Sequence, residues 1–235
     1  MLWLRPCRAV YFVALEKWSA GLGGYVDSAV ALRELARRFG LDEECGESGK
    51  LLRYLRLLEK WNARINLTAS TAWPAIGVLF EEALWAAGYF PTQGSCHLDI
   101  GSGAGFPAIP LHIVRPALRL ELLESRVRRA VFLESAVAEL QMAATTVVCQ
   151  RAEDYFRRRA AFEFNLVSWK GIKLSSEVFG LLMEMSRPGT RFWIFHGDDL
   201  PVADPDDLER RLTLMRRNDF PGRSGWQLSI YEKRR

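Results

Sequence analysis

The segment "HLDIGSGAGFPAIPL", His97–Leu111, sets three glycines within five residues, between an apolar run and a proline-bounded one. Glycine reaches positive φ without penalty and lets a ligand lie against bare backbone. Gly101, Gly103 and Gly105 therefore mark a loop shaped to hold something, with Asp99 just before it. A dinucleotide-binding loop keeps its last glycine one position later, where a pyrophosphate meets the next helix. Phe106 stands there and Pro107 follows, so a smaller ligand without a pyrophosphate is expected. Two further acids fit that expectation. The next apolar run, "LRLELLE", ends in Glu124, and a carboxylate at that point can accept both hydroxyls of a ribose. After the third run come Ala152, Glu153 and Asp154, where an acid can accept from an adenine amino group. Taken together these residues point to S-adenosylmethionine.

A loop of this kind needs a strand before it and a helix after it. Strands are expected at 96–100, 118–124, 145–150, 164–169 and 191–195, with two more at 212–217 and 226–235. Helices are expected at 107–114, 128–140 and 175–186. That alternation predicts an α/β fold: a mostly parallel twisted sheet with helices on both faces. Ligands of such sheets bind outside the carboxyl ends of the strands. Upstream the texture is helical. Val26, Val30, Leu35 and Phe39 fall at helical spacing before Gly40. "CGESGK", Cys45–Lys50, reads as a turn, and Leu51, Tyr54, Leu55, Leu58 and Trp61 give an amphipathic helix after it. A third helix is expected from Pro74 to Tyr89, ended by "PTQGS". The organisation expected is an N-terminal helical extension over 1–50, a helical appendage over 51–90, and a Rossmann-like domain over 91–235 on which it packs.

The 235 residues include 49% apolar ones, enough for a sizeable core, and a formal charge of +4. So mild an excess permits a polyanionic partner without requiring one. It is concentrated in Arg126/Arg128/Arg129, Arg157/Arg158/Arg159, Arg216/Arg217 and Lys233/Arg234/Arg235. Cys7, Cys45, Cys96 and Cys149 are widely spaced, with no histidine at ligand spacing. They read as reduced thiols, neither a disulfide framework nor a metal site. No apolar run approaches the ~20 residues of a membrane helix. The opening "MLWLRPCRAVYFVALEKW" is interrupted by Arg5, Pro6, Arg8 and Glu16, so a cytoplasmic protein is expected.

"LEKWNARINLTA" (Leu58–Ala69) joined to "LDIGSGAGFPAIPLHIVRP" (Leu98–Pro116) resembles the glucose-inhibited division protein B family, small-subunit ribosomal RNA methyltransferases that place a methyl on guanine N7. "LLESRVRRAVFL" and "SRPGTRFWIFHG" resemble later segments of the same family. The resemblance implies a class I S-adenosylmethionine-dependent methyltransferase fold. It also implies ribosomal RNA, within the small subunit, as partner; a monomer without membrane association is expected. Carried over residue by residue, the family's cofactor contacts fall on Gly101, Phe106, Ala152, Glu153 and the basic Lys170. Gly103, Gly105 and Glu124 come from the physical reading. The chain departs from the family at Lys170-Gly171, where Arg-Ala is usual, and at His196, where Lys is usual. Val78-Leu79 stands in place of Arg-His, although Glu82 keeps an acid nearby, and Ala108 replaces a glycine. These departures leave open a methyltransferase of the same fold for another RNA or a small molecule, or a non-catalytic cofactor-binding module.

Guanine N7 carries a lone pair and no proton, so its methylation needs alignment and charge stabilisation rather than a general base. That agrees with the lack of any Ser-His-Asp or Cys-His constellation. Lys170 is the candidate for a cofactor carboxylate or an RNA phosphate, and His196 for the guanine edge. Trp169 and Trp193 are candidates for stacking a flipped base, against the alternative of core packing. Asn66 can close the pocket from the helical side or cap a helix end, and the arginine clusters suit an RNA backbone.

Overall fold

A computed structural model describes residues 27–41, 46–91 and 94–235. The opening segment, Val26 and Cys45 lie outside the described residues. Five strands run parallel: β1 (Cys96–Ile100), β2 (Arg119–Glu124), β3 (Thr145–Cys149), β4 (Leu166–Lys170) and β5 (Arg191–His196). β6 (Leu212–Asp219) and β7 (Gln227–Lys233) complete the sheet antiparallel, in the order β3-β2-β1-β4-β5-β7-β6. Runs such as Leu98–Ile100 and Leu120–Leu123 are buried on both faces, as parallel strands covered by helices must be. The chain order reverses between β1 and β4, so the crevice at their carboxyl ends is the switch point where such sheets bind ligands.

One face is covered by α1 (Ser28–Arg38), α2 (Gly46–Asn62), α3 (Trp73–Ala86), α4 (Ala108–Val114) and α5 (Val127–Glu139). Their core includes Leu32, Tyr54, Phe80, Ile109 and Phe132, continuous with Trp193 and Leu228 of the sheet. The upstream helices thus share the sheet's core rather than having one of their own. The other face carries α6 (Ala152–Arg158), α7 (Ser176–Met185) and α8 (Pro205–Arg211), packed around Tyr155, Trp169, Phe179 and Leu208. Helix starts follow local chemistry: Asp27 Oδ1 accepts from the Ala29 N–H at 2.8 Å, and Asp204 Oδ1 from the Asp207 N–H at 3.0 Å.

Several sequence expectations need correction. The described part of the turn expected at Cys45–Lys50 is the first turn of α2, which begins at Gly46. Glu47 complements the helix's amino end and Ser48 is buried against its neighbours, so the glycines are carried by the packed face that follows. Val30 faces outward, while α1 buries Ala31, Leu32, Leu35 and Ala36. The third helix stops at Ala86 and continues as a 3-10 turn, Ala87–Tyr89. Two short helices went unforeseen, α6 and α8, each of 7 residues. The second is spelled out by Asp204-Pro205-Asp206-Asp207, a cap followed by proline and first-turn acids.

The parallel register places a polar chain inside the sheet. His97 and Asp99 of β1 point to one face, and Asp99 lies opposite Ser168 of β4. His112 Nδ1 is 3.1 Å from the Arg115 carbonyl, and His112 Nε2 is 2.7 Å from His97 Nδ1. His97 Nε2 is 2.8 Å from Ser168 Oγ, itself 2.5 Å from Asp99 Oδ1. These four contacts need four hydrogens, and two neutral imidazoles with one hydroxyl supply three. A carbonyl can only accept, so His112 Nδ1 donates to Arg115; Ser168 Oγ donates to an ionised Asp99, and below its raised pKa Asp99 can supply the fourth hydrogen. Burial acts in the same sense. It pushes the Asp99 carboxyl up to about 6, with hydrogen bonding, the Glu124 charge and the Lys170 charge as smaller influences. It also holds His97 well below its ordinary range and His112 down at about 3.

Asp99 binds its proton more tightly in the folded chain than at its ordinary 3.8, so its ionisation lowers native stability as pH rises from about 4 through 6. Asp99→Asn retains an acceptor and a donor but cannot ionise. Urea unfolding should find this variant more stable than wild type at pH 7.5, by an amount on the order of 1–3 kcal/mol, with the gap shrinking towards pH 5. An equal gap at both pH values would contradict the assignment.

Candidate active site

The loop after β1 is hung on β2. The Gly101 and Ser102 N–H groups donate to the Leu123 carbonyl at 2.8 and 3.1 Å. The Gly103 N–H donates to Glu124 Oε2 at 2.8 Å, and the Arg126 N–H to Glu124 Oε1 at 2.8 Å. Glu124 is buried, and each of its oxygens keeps a further lone pair for a ligand hydroxyl. From behind, the Tyr54 hydroxyl of α2 donates to the Ala104 carbonyl. Gly105 has φ 86°, and a Cβ there would lie 2.5 Å from Ile109 Cδ1 and 2.9 Å from the Tyr54 hydroxyl. Gly103 also has positive φ, 59°, but the nearest atom to its absent Cβ is Arg129 Nη1 at 3.6 Å. Gly105 is therefore required by packing, and Gly103 by backbone conformation, its Cβ position meeting nothing closer than ordinary van der Waals contact.

Strand register gathers the predicted residues along one edge. Ile100 lies opposite Leu123 on one side and Trp169 on the other, and Glu124 lies opposite Cys149. The glycine loop, Glu124 and the first turn of α6, with Ala152 and Glu153, thus follow one another at adjacent strand ends. Lys170 flanks the loop from β4. Its ammonium lies 2.5 Å from Oε1 of Glu82 on α3, whose other oxygen accepts from Trp226 Nε1 at 2.5 Å. Glu82 is fully buried, and Lys170 is only 13% exposed. In this arrangement the Lys170 charge serves to neutralise Glu82.

The other candidates fall differently. Phe106 turns its ring into the core, 5.4 Å from Tyr54 and 5.1 Å from Phe80 between ring centres. Any contact it makes to a ligand over the loop comes from its backbone. His196 closes β5 with both nitrogens engaged, Nδ1 at 2.6 Å from the Gly197 carbonyl and Nε2 at 2.8 Å from Ser229 Oγ. Burial lowers its pKa, so it is a neutral, satisfied group. Trp169 and Trp193 are fully buried, and their place is the core. Asn66 is exposed, and its carbonyl accepts from Arg129 Nη2 at 3.2 Å.

Sequence reasoning missed Tyr54, Ser168 and Asn62. Asn62 Oδ1 accepts from the Leu67 and Thr68 N–H groups, both at 2.9 Å, and so shapes the loop after α2. That bond is the physical content of the "KWN…NLT" pattern. The basic clusters also divide. Arg157 pairs with Glu177 and Arg159 with Glu121, Arg216 lies over the Tyr89 ring, and the Lys233 ammonium is bound by the carbonyls of Met183 and Ser186.

Residues 47–206 match the GidB family, described as rRNA small subunit methyltransferase G. A protein of that name from Geobacillus kaustophilus (strain HTA426) is 34% identical over 143 residues, 60% of each chain. Another from Roseiflexus castenholzii (strain DSM 13941 / HLO8) is 39% identical over 187 residues, 79% of each. The chain spans about 60% of the length of the first of these curated relatives. Among solved structures, a variant of MtNAS in complex with S-adenosylmethionine shares the fold, with a TM-score of 0.55 over 90% of this chain and 84% of that one, at 13% identity. No helix among the described residues is long and apolar enough to cross a membrane. With the family pattern spanning the glycine loop, Glu124 and α3 alike, the chain belongs to the rRNA small subunit methyltransferase G family.

Proposed function

We propose that this chain transfers a methyl group from S-adenosylmethionine to guanine N7 of 16S ribosomal RNA, on the small subunit in the bacterial cytoplasm. The observation that carries the reading is the union of glycine loop and acid at the switch point. Glu124 holds the loop through Gly103 and retains lone pairs for ribose hydroxyls. Glu153 and Asp154 stand in the first turn of α6, next along the edge, as acceptors for an adenosine's exocyclic amine. The open space beside Gly171 leaves room for such a ligand. The MtNAS complex, with the same fold, supports this choice of ligand.

The methyl donor supplies an electrophilic carbon on a sulfonium sulfur, which the N7 lone pair displaces with no proton to remove. This chain's own task is to bind and align. The loop backbone, fixed at Leu123, Glu124 and Tyr54, sets where the donor lies. Glu124 fixes the ribose and, as an anion, favours a cationic sulfonium beside it. No residue has to act as a base, which agrees with His196 and the His97–His112 pair being buried and spoken for.

Calorimetry with S-adenosylmethionine should register binding, and Glu124→Gln should weaken it about tenfold or more, a loss on the order of 1.4 kcal/mol. An unaltered affinity would remove Glu124 from the site. Gly105→Ala, with its clash against Ile109 and Tyr54, should lower thermal stability and abolish binding. Gly103→Ala should cost about 1 kcal/mol, as alanine at positive φ does, and leave the fold intact. Tritiated methyl transfer to small subunits from a strain lacking the modification should label 16S RNA at one guanine N7. Label elsewhere, or none with cofactor bound, would select another substrate.

A further inference from the structure

We infer that the cleft between the loop after α2 and the amino end of α5 is the docking groove for the phosphate backbone of the RNA that carries the target base. The cleft measures about 430 Å³ and is lined by Arg64, Asn66, Arg126, Val127, Arg128 and Arg129. Arg64, Arg126 and Arg128 are exposed, and among the described residues no carboxylate pairs with any of the four guanidiniums. Like charges gathered without partners repel one another, and a polyanion relieves that repulsion. The contrast within the molecule sharpens the point. Arg157 and Arg159 are bound by Glu177 and Glu121, Lys233 caps carbonyls at the end of α7, and Arg234 donates to Thr213 Oγ1 at 3.2 Å. The Arg157–Arg159 run thus has carboxylate partners, whereas the cluster beside the glycine loop has none among the described residues.

Three features tie this cleft to the site rather than to the surface at large. The backbone N–H of Arg126 is bonded to Glu124, so the cleft's floor and the ribose acid belong to one turn. Arg129 Nη1 lies 3.6 Å from the Cβ position of Gly103, and Nη2 holds the Asn66 carbonyl. A strand lying along the arginines therefore runs onto the glycine loop. Val127, 67% exposed between them, offers an apolar contact to a ribose or base. Guanidinium forks match phosphate oxygens bidentately, and the amino end of α5 adds positive potential. The partner is RNA, and its identity as the methylated strand rests on the function proposed above.

The test is filter binding of a 16S RNA transcript and of intact small subunits across a salt series, with Arg64→Ala/Arg126→Ala/Arg128→Ala against wild type. Arg129 is left in place because it braces Asn66. The triple variant should bind both probes tenfold or more weakly near 0.1 M salt. Its log–log salt slope should flatten by about 0.7 for each phosphate that the removed arginines had neutralised. Arg187→Ala, at the opposite end of the strands, should behave as wild type in RNA binding and in S-adenosylmethionine affinity by calorimetry. Equal RNA affinity and slope in the triple variant would overturn the groove. Loss of subunit binding with transcript binding intact would also overturn it, by assigning the cleft to a ribosomal protein. Failure of the wild type to bind S-adenosylmethionine would instead strike the proposed function, and the RNA measurements would still decide the groove.

Discussion

A loop of five residues at the end of β1 has its backbone groups bound on two sides, and the rest of the site depends on that double restraint. The sheet side supplies the Leu123 carbonyl and the Glu124 carboxylate; the helical side supplies the Tyr54 hydroxyl. A loop whose polar groups are already satisfied by the protein does not have to be ordered by its ligand, so less of the ligand's binding free energy is lost on ordering it. The same restraint explains Phe106. Its ring leaves the loop and enters the contact between Tyr54 and Phe80, which joins α2 and α3 to the sheet at the very residue where the loop ends. The upstream helices thus form the back wall of the site.

A second tie lies across the switch point. Glu82, fully buried on α3, is neutralised by Lys170 of β4 and takes a further hydrogen bond from Trp226. A buried pair of this kind adds little net stability over an apolar replacement, yet removing one partner leaves an uncompensated charge, at about 3–5 kcal/mol. Its effect is therefore one of specification. It ties α3 to the carboxyl end of β4. A lysine suits this geometry because its single ammonium covers one carboxylate oxygen while the indole N–H covers the other.

The sheet strands and the ligand loop could be read in the sequence because both are local statements. A doubly buried strand is a short apolar run, and a loop at positive φ needs glycine at each such position. Glu124 was readable for the same reason, standing at the end of its run. What could not be read is set by partners far away in the chain. His97 and Ser168 are 71 positions apart and Lys170 and Glu82 are 88, so nothing local announces either contact. Burial was equally hidden: Trp169, Trp193 and His196 have the right chemistry for a base-binding site, and their depth in the sheet gives them to the core. The arginine clusters look alike in sequence, and the positions of Glu121 and Glu177 separate the Arg157–Arg159 run from the one beside the glycine loop. The α8 signal, by contrast, was present at Asp204-Pro205 and was simply short.

These separations produce a charge map that no single motif contains. Under the loop, burial opposes the Asp99 charge, and Lys170 is cancelled by Glu82. At the loop's edge the Glu124 carboxylate accepts from two backbone N–H donors. Glu153 and Asp154 extend the negative side along the strand ends. Across the loop, Arg64, Arg126, Arg128 and Arg129 make the other rim positive. Under the proposed function, a cationic donor and an anionic strand are drawn to opposite sides of one glycine turn. Reaction between them requires the two to meet there, and the Arg126 N–H bonded to Glu124 is where the protein joins the two fields.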